Sequence, residues 1–314
     1  MTPGAVERLV SRGWAVLDGA IPPDVCRGIR EDVEQLASAG AVHPNHTVVV
    51  RAAAGGGPAE TAHVPKQGIL ESDMLAAQHR GRSNGVLSRI QGGAALRAAV
   101  GAGLPGAGGA LDTQGVKAQV NEGGGGCFPV HLDSDRSVDG RLVTAIVYLN
   151  EGWGPGDGGA LRLYPAGGGF APVDVAPEGG RVVLFSSRSM PHRVLPAARR
   201  RVCFSAWLGR ARDGRPPPPP PDLAAALAGD DRATLAFAAH PAVWKHACKG
   251  ALAAEWERSI VESHPPGAGR DALVASHRRD VAVIEARLGP LLRRARELAA
   301  AGRGAELEGL VQWV

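Results

Sequence analysis

His131-x-Asp133, a distant His192, and Arg201 nine positions beyond it are the residues whose types and spacing could do chemistry. Two imidazoles and one carboxylate form the ligand set of a facial triad, which holds a divalent ion on one side and leaves positions open for substrate and O₂. Arg201 adds a planar fork for a second carboxylate at a fixed distance from such a metal. In an extended segment residues i and i+2 point to one side, so His131 and Asp133 can face the same ion. Asp135 shares that side and is the rival carboxylate, with Asp133 favoured by its spacing. The same three ligands would also suit a zinc hydrolase with an open fourth position, although that reading gives Arg201 no task.

The elements around these residues must bring distant positions together. From Val116 the pattern has period two, with strands expected at Val116–Val120, Leu142–Asn150, Ala160–Tyr164, Arg181–Phe185 and Arg201–Leu208, each gap punctuated by Gly or Pro. Short strands joined by turns, without helices between them, predict an antiparallel sandwich or jelly roll. His131 opens this block and His192 lies near its end, where the first and last strands of a jelly roll are neighbours. Arg201, Cys203, Ser205 and Trp207 alternate on one face of the last strand, the face suited to a polar pocket. Arg199 and Arg200 read as a solvated turn.

Upstream, the pattern predicts a helix over Val6–Ser11, a strand over Trp14–Asp18, and a second helix opened by Pro22-Pro23-Asp24 with Val25, Ile29, Val33 and Leu36 on one stripe, ending near Gly40. Helical potential runs from Ile69 to Ala76, and the polar residues Arg80, Arg82, Ser83 and Asn84 suggest a surface loop. Residues 60 to 90 are the expected specificity element. Downstream, Pro216–Pro221 predict a stiff spacer, or a ligand for a proline-binding module. Helices are then expected at Leu223–Leu227, at Ala233–Glu257, and along the stripe Val281, Ile284, Leu288, Leu291, Ala295 and Leu298. The expected organisation is a domain over 1–209 with its core at 116–209, a linker over 210–221, and a helical appendage over 222–314 that packs on the core or meets a partner. The fold class is α+β: a mainly β core, a double-stranded β-helix or jelly roll, with flanking helices.

Composition narrows the class of protein. With 44% apolar residues in 314, the chain can bury a sizeable core, and 44 Gly and 24 Pro imply many loops. A formal charge of +4 without a clustered basic stripe argues against nucleic-acid binding. The four cysteines lack CxxC pairing and read as free thiols of a reducing compartment. No apolar stretch has the length of a membrane span, and the first residues lack the features of a secretory leader, so a cytoplasmic or nuclear location is expected and the sequon at Asn45 would go unused.

The stretches Asp139–Asn150, Gly158–Pro165 and Pro191–Pro196 resemble the 2-oxoglutarate- and Fe(II)-dependent prolyl 4-hydroxylases, most closely the oxygen-sensing branch that acts on hypoxia-inducible factor. The resemblance covers roughly residues 5 to 209 and is strongest from 116. It implies that His131, Asp133 and His192 bind iron and that Arg201 pairs with the far carboxylate of 2-oxoglutarate. Tyr148 would hydrogen-bond this co-substrate, Ser205 and Trp207 would line its pocket, and Arg141 would face the substrate. Asn121 stands where that branch has a second co-substrate-binding tyrosine, and its shorter amide could still donate a hydrogen bond. The implied cofactors are Fe(II), 2-oxoglutarate, O₂ and L-ascorbate. The implied partner is a proline-containing protein or peptide, hydroxylated with release of succinate and CO₂. Other readings are an oxygenase of another side chain or a small molecule, and a non-catalytic jelly-roll interaction protein.

Overall fold

Period-two segments become strands that face one another as two antiparallel sheets. The computed structural model describes residues 3–51, 60–76, 85–104, 111–134, 139–211 and 218–314. The chain begins with α1 (Pro3–Arg12), β1 (Trp14–Leu17), α2 (Pro23–Ser38), the hairpin β2 (His43–Arg51) and β3 (Glu60–Asp73), then α3 (Val86–Gly92) and α4 (Ala95–Gly101). Barrel strands follow: β4 (Thr113–Asn121), β5 (Gly126–His131), β6 (Arg141–Tyr148), β7 (Leu161–Leu163), β8 (Val173–Val175), β9 (Val182–Ser186), β10 (His192–Ala197) and β11 (Arg201–Gly209). The larger sheet has the order β1-β9-β6-β11-β4-β3-β2 and the smaller β5-β10-β7-β8. Such a pair of sheets is the jelly roll expected from the strand pattern.

Alternation decides what each face of the large sheet meets. Val116, Ala118 and Val120 of β4, Val143, Ala145 and Val147 of β6, and Val202, Phe204 and Ala206 of β11 pack outward under Leu9, Ile29, Val33, Leu36 and Leu87 of the N-terminal helices. Each Val, Ile, Leu or Phe among them contributes about 1.5–3 kcal/mol by leaving water. α2 starts where Pro22 and Pro23 fit the helix start. Val25 is exposed, contrary to the expected stripe, and Cys26 takes its place in the core.

The helix expected over Ile69–Ala76 is absent. Residues Ile69 to Asp73 belong to β3, where Ile69, Glu71 and Asp73 lie opposite Asn121, Gln119 and Lys117 of β4. Pairing to an existing sheet edge outweighs a weak local helical preference. The loop expected around Arg80–Asn84 and the rival ligand Asp135 lie outside the described residues, as do Pro216 and Pro217 of the proline run.

Beyond the proline run the chain folds as α5 (Leu223–Leu227), α6 (Asp231–Ala239), α7 (Pro241–Ala251), α8 (Ala253–Ser263), α9 (Ala268–Leu298) and α10 (Gly304–Leu310). The single helix expected over Ala233–Glu257 is three helices. His240 caps and Pro241 opens α7, because proline fits a first turn and not a helix interior. No described helix is long and apolar enough to cross a membrane. The expected appendage shares one apolar core with the small sheet: Phe128, Val130, Leu161 and Leu163 pack with Leu235, Trp244, Leu292 and Trp313. Trp313 reaches back to α1, where a Cβ on Gly13 would fall inside its ring. The unit over 222–314 therefore belongs to the body of the fold.

Two histidines in this unit are held neutral. Burial pushes His264 and His277 below the ordinary imidazole value, partly offset by the Ile260 and Ala253 carbonyls. At 2% and 4% exposure, they donate to those carbonyls over 2.9 Å, and the Thr47 hydroxyl meets Nε2 of His264 at 2.8 Å. Protons then bind the unfolded chain preferentially below about pH 6.5, so stability should fall as pH drops through that value. Thermal melts from pH 8 to 5 check this, and a flat profile would contradict it.

Candidate metal centre

β5 and β10 are neighbours, and His131 lies directly opposite His192 in their register. The ring centroids are 4.3 Å apart. Asp133, two residues past His131, places Oδ1 3.4 Å from His131 Nε2 and 3.7 Å from His192 Nε2. All three ligand atoms lie within 4.8 Å of one another. Ligand atoms about 2.1 Å from one ion and at right angles to each other stand about 3 Å apart, so one divalent ion fits among them.

Partners of the ligands fix which atoms face the ion. His131 Nδ1 lies 2.8 Å from the Pro129 carbonyl and His192 Nδ1 lies 3.0 Å from the Met190 carbonyl. A carbonyl only accepts, so each Nδ1 carries the hydrogen and each Nε2 presents a lone pair. Thr144 donates to Asp133 Oδ2 over 2.6 Å, and its oxygen lies 2.8 Å from Ser187 Oγ, which must then be the donor. Burial, then His131, push His192 down to about 4 against the pull of Asp133. Burial alone would raise the Asp133 carboxyl, but His192, His131 and Thr144 hold it below the usual carboxylate range. His192 and Asp133 thus stand at neutral pH in the protonation states that a metal would require of them.

The large sheet supplies the opposite wall. Cys203 lies opposite Tyr148 and Trp207 opposite Thr144 in the β11–β6 register, so Arg201, Cys203, Ser205 and Trp207 share an inward face with Tyr148 and Thr144. Arg201 is 2% exposed, its guanidinium 5.0 Å over the Tyr148 ring and 3.4 Å from Cys203 Sγ. Arg201 Nε and the Tyr148 hydroxyl are both buried without a hydrogen-bond partner. Burial pushes Tyr148 up to about 12 against the pull of Arg201, so the phenol keeps its proton and can donate. Two orphaned donors in one buried recess call for an anionic acceptor such as a carboxylate.

Gly159 makes room for Arg201. Its φ is +66°, and a Cβ there would come within 3.1 Å of both Arg201 Cδ and Ala197 Cβ. Gly159→Ala should cost at least about 1 kcal/mol from the left-handed backbone alone and disturb the guanidinium, measurable as a lower Tm and weaker co-substrate binding.

The remaining predicted residues sit as follows. Ser205 is buried on the pocket face, and Trp207 carries Arg141 at 4.7 Å and Lys117 at 5.6 Å against its ring. Arg141, paired with Asp139 at 3.1 Å, stands at the rim with its side chain 40% exposed. Asn121 has a task in the chain's own turn. Its Nδ2 donates to the Gly126 carbonyl over 2.7 Å and its Oδ1 accepts from the Gly123 amide over 3.0 Å. The amide thus holds the glycine turn between β4 and β5 with its oxygen and one of its two hydrogens. Arg199 and Arg200 lie at the surface as expected, in ion pairs with Asp157, Glu34 and Glu122.

Residues that sequence reasoning missed line the same mouth. Thr144 was detectable, since it shares period-two parity with Tyr148. Lys66 is largely buried, 5.3 Å over the Phe128 ring, which stacks on His131 at 6.4 Å. Burial pushes its amine down to about 8, against the pull of Glu71. Asn45 bridges Lys66 to Glu71, and Lys117 donates to Glu71 over 3.0 Å. No local motif announced this network, because its members come from three strands.

A jelly roll presenting two histidines and one carboxylate at an open end defines a class, the non-haem metal oxygenases. Within that class, residues 117–209 match the 2OG-Fe(II) oxygenase superfamily, and this chain carries a 2OG-Fe(II) oxygenase domain. It is 40% identical over 90 residues to the hypoxia-inducible factor prolyl hydroxylase of Caenorhabditis elegans, covering 28% of this chain and 12% of that one. Against human prolyl hydroxylase EGLN3 the identity is 38% over 87 residues, covering 27% and 36%. The chain therefore spans about a third or less of these curated relatives. Among solved structures, a prolyl 4-hydroxylase of Phytophthora capsici superposes with TM-score 0.72 at 26% identity, covering 96% of this chain and 92% of that one. A Pseudomonas putida prolyl-4-hydroxylase gives 0.51 at 28% identity, covering 67% and 99%.

Proposed function

We propose that the chain is a 2-oxoglutarate- and Fe(II)-dependent dioxygenase that hydroxylates prolyl residues of a protein or peptide, with release of succinate and CO₂. The observation that carries this reading is the pairing of the His131, Asp133 and His192 cluster with the orphaned donors of Arg201 and Tyr148 in one barrel. The similarity to prolyl hydroxylases supports the substrate class.

Iron(II) bound there would supply O₂ activation and C–H oxidation, with ascorbate keeping the metal reduced. The chain's own residues do the positioning. His131 and His192 turn their Nε2 atoms inward because their Nδ1 hydrogens are committed to backbone carbonyls. Thr144 fixes one oxygen of Asp133 and so frees the other for the metal. Arg201 and Tyr148 clamp the far carboxylate of 2-oxoglutarate, which orients its keto-acid end toward the histidines. Asp133 fills the position that a halide would otherwise take, which favours hydroxylation over halogenation. Trp207, Arg141 and Lys66 border the mouth where a peptide would enter.

A succinate-release assay with iron, ascorbate and 2-oxoglutarate over a panel of proline-containing peptides tests this. Stimulation by a peptide, lost when its proline becomes alanine, is the expected result. Uncoupled turnover that no peptide stimulates would sink the prolyl assignment and leave the oxygenase standing.

A further inference from the structure

We propose that helix α8 is a working part of the metal centre, with Glu255, Ser259 and Glu262 as positioning residues that hold the two histidine-bearing strands at the spacing a metal needs. The inference rests on the reading of His131, Asp133 and His192 as a metal site. The three residues recur at i, i+4 and i+7 and so share one face of α8. Each contact from that face to the strands lands one residue away from a histidine or from a residue opposite one, while Arg258 of the same helix pairs with both carboxylates.

Ser259 is fully buried and accepts the Val130 amide over 2.9 Å. Its own hydrogen goes to the Trp256 carbonyl over 2.6 Å, which leaves the oxygen free to accept. Val130 precedes His131, and β5 is the edge of the small sheet, with β10 its one strand neighbour there. Ser259 thus takes the place of a missing strand beside the first ligand. Arg193 follows His192 and is 1% exposed. It donates to Glu255 over 2.9 Å and to Glu262 over 2.5 Å. Tyr164 donates to Glu255 over 2.7 Å and follows Leu163, the residue opposite His192. One helix face therefore grips both ligand strands, and His131 lies opposite His192 across the pair it grips.

The chemistry of the grip favours positioning over bulk stability. Burying an ion pair seldom adds net stability over a well-packed apolar substitute, and its best-attested use is to fix one register. A nearly inaccessible arginine beside a metal ligand, held by two carboxylates on one helix, fits that use. Partners behind ligating histidines typically matter about 10–100-fold in metal affinity.

The test is an anaerobic titration of the full chain with cobalt(II), followed by its visible d–d absorption, alongside thermal melts without metal. The variants are Ser259→Ala, which removes one hydrogen bond, and Glu262→Gln, which removes the charge of one carboxylate that holds Arg193, with Glu257→Gln as control. Glu257 lies on α8 and pairs with Arg278 of α9 over 2.6 Å, away from the two strands. Ser259→Ala and Glu262→Gln should weaken cobalt binding by up to about 10-fold, the low end of what a group bonded directly to a ligand contributes, and alter the band shape. Glu257→Gln should keep wild-type affinity and spectrum whatever it does to Tm. Wild-type cobalt affinity and spectrum in both clamp variants would overturn the inference, even if their Tm falls. Should one variant not fold, the other decides. Failure of the wild-type chain itself to bind cobalt would remove the metal reading and this inference with it.

Discussion

Asp133→Ala or His192→Ala should leave no measurable 2-oxoglutarate turnover and no metal bound after desalting. Replacing residues that merely support a ligand costs about 10–100-fold, so loss of a ligand should exceed that range. Asp133 is the more informative position. It supplies the one negative charge of the cluster, and Thr144 fixes its orientation over 2.6 Å. Thr144→Val keeps the shape and removes that hydrogen bond, so it should fall between the wild type and Asp133→Ala in metal affinity. Metal content by elemental analysis and succinate yield are the two measurements. Full turnover by Asp133→Ala would show that the carboxylate is not a ligand.

Arg201→Met should move two observables in opposite directions. In the protein without co-substrate Arg201 is 2% exposed, beside the Tyr148 ring and the Cys203 thiol with no carboxylate partner among the described residues, an expensive placement for a charge. Methionine fills similar space without that cost, so the variant's Tm should rise. Binding of 2-oxoglutarate should weaken, since losing one partner of a buried charge pair costs about 2–5 kcal/mol. That corresponds to roughly one and a half to three and a half powers of ten in KM for 2-oxoglutarate. Melting curves with and without 2-oxoglutarate separate the two effects. A Tm that falls in Arg201→Met would assign the arginine to the fold instead of the ligand.

The legible and illegible parts of the chain divide along physical lines. β11 was readable because alternation alone puts Arg201, Ser205 and Trp207 on one face, and the barrel then had to bring His131 to His192. The β2–β3 hairpin was not, because its residues around Pro65-Lys66-Gln67-Gly68 serve a polar mouth and not an apolar layer, so period two is lost. Asn121 occupies the expected place with its amide turned to the chain's own turn, an outcome set by the neighbouring glycines, Gly123 to Gly126. The break at His240-Pro241 was visible in principle, since proline marks a helix start. The grip of α8 on β5 and β10 was beyond reach. Its partners are 62 to 129 residues apart, and a pattern read within one segment cannot pair them.

The packing of Trp313 against Gly13 bears on synthesis of the chain. A ribosome adding about 5–20 residues per second makes Gly13 roughly 15–60 s before its partner indole exists. During that interval the corner formed by α1 and β1 lacks its cover, and once the small sheet is made its apolar residues face solvent until Trp244 and Leu292 follow. The barrel, whose last strand ends at Gly209, therefore waits uncovered while the residues from there to Trp313 are made, and chaperone demand should be greatest in that interval.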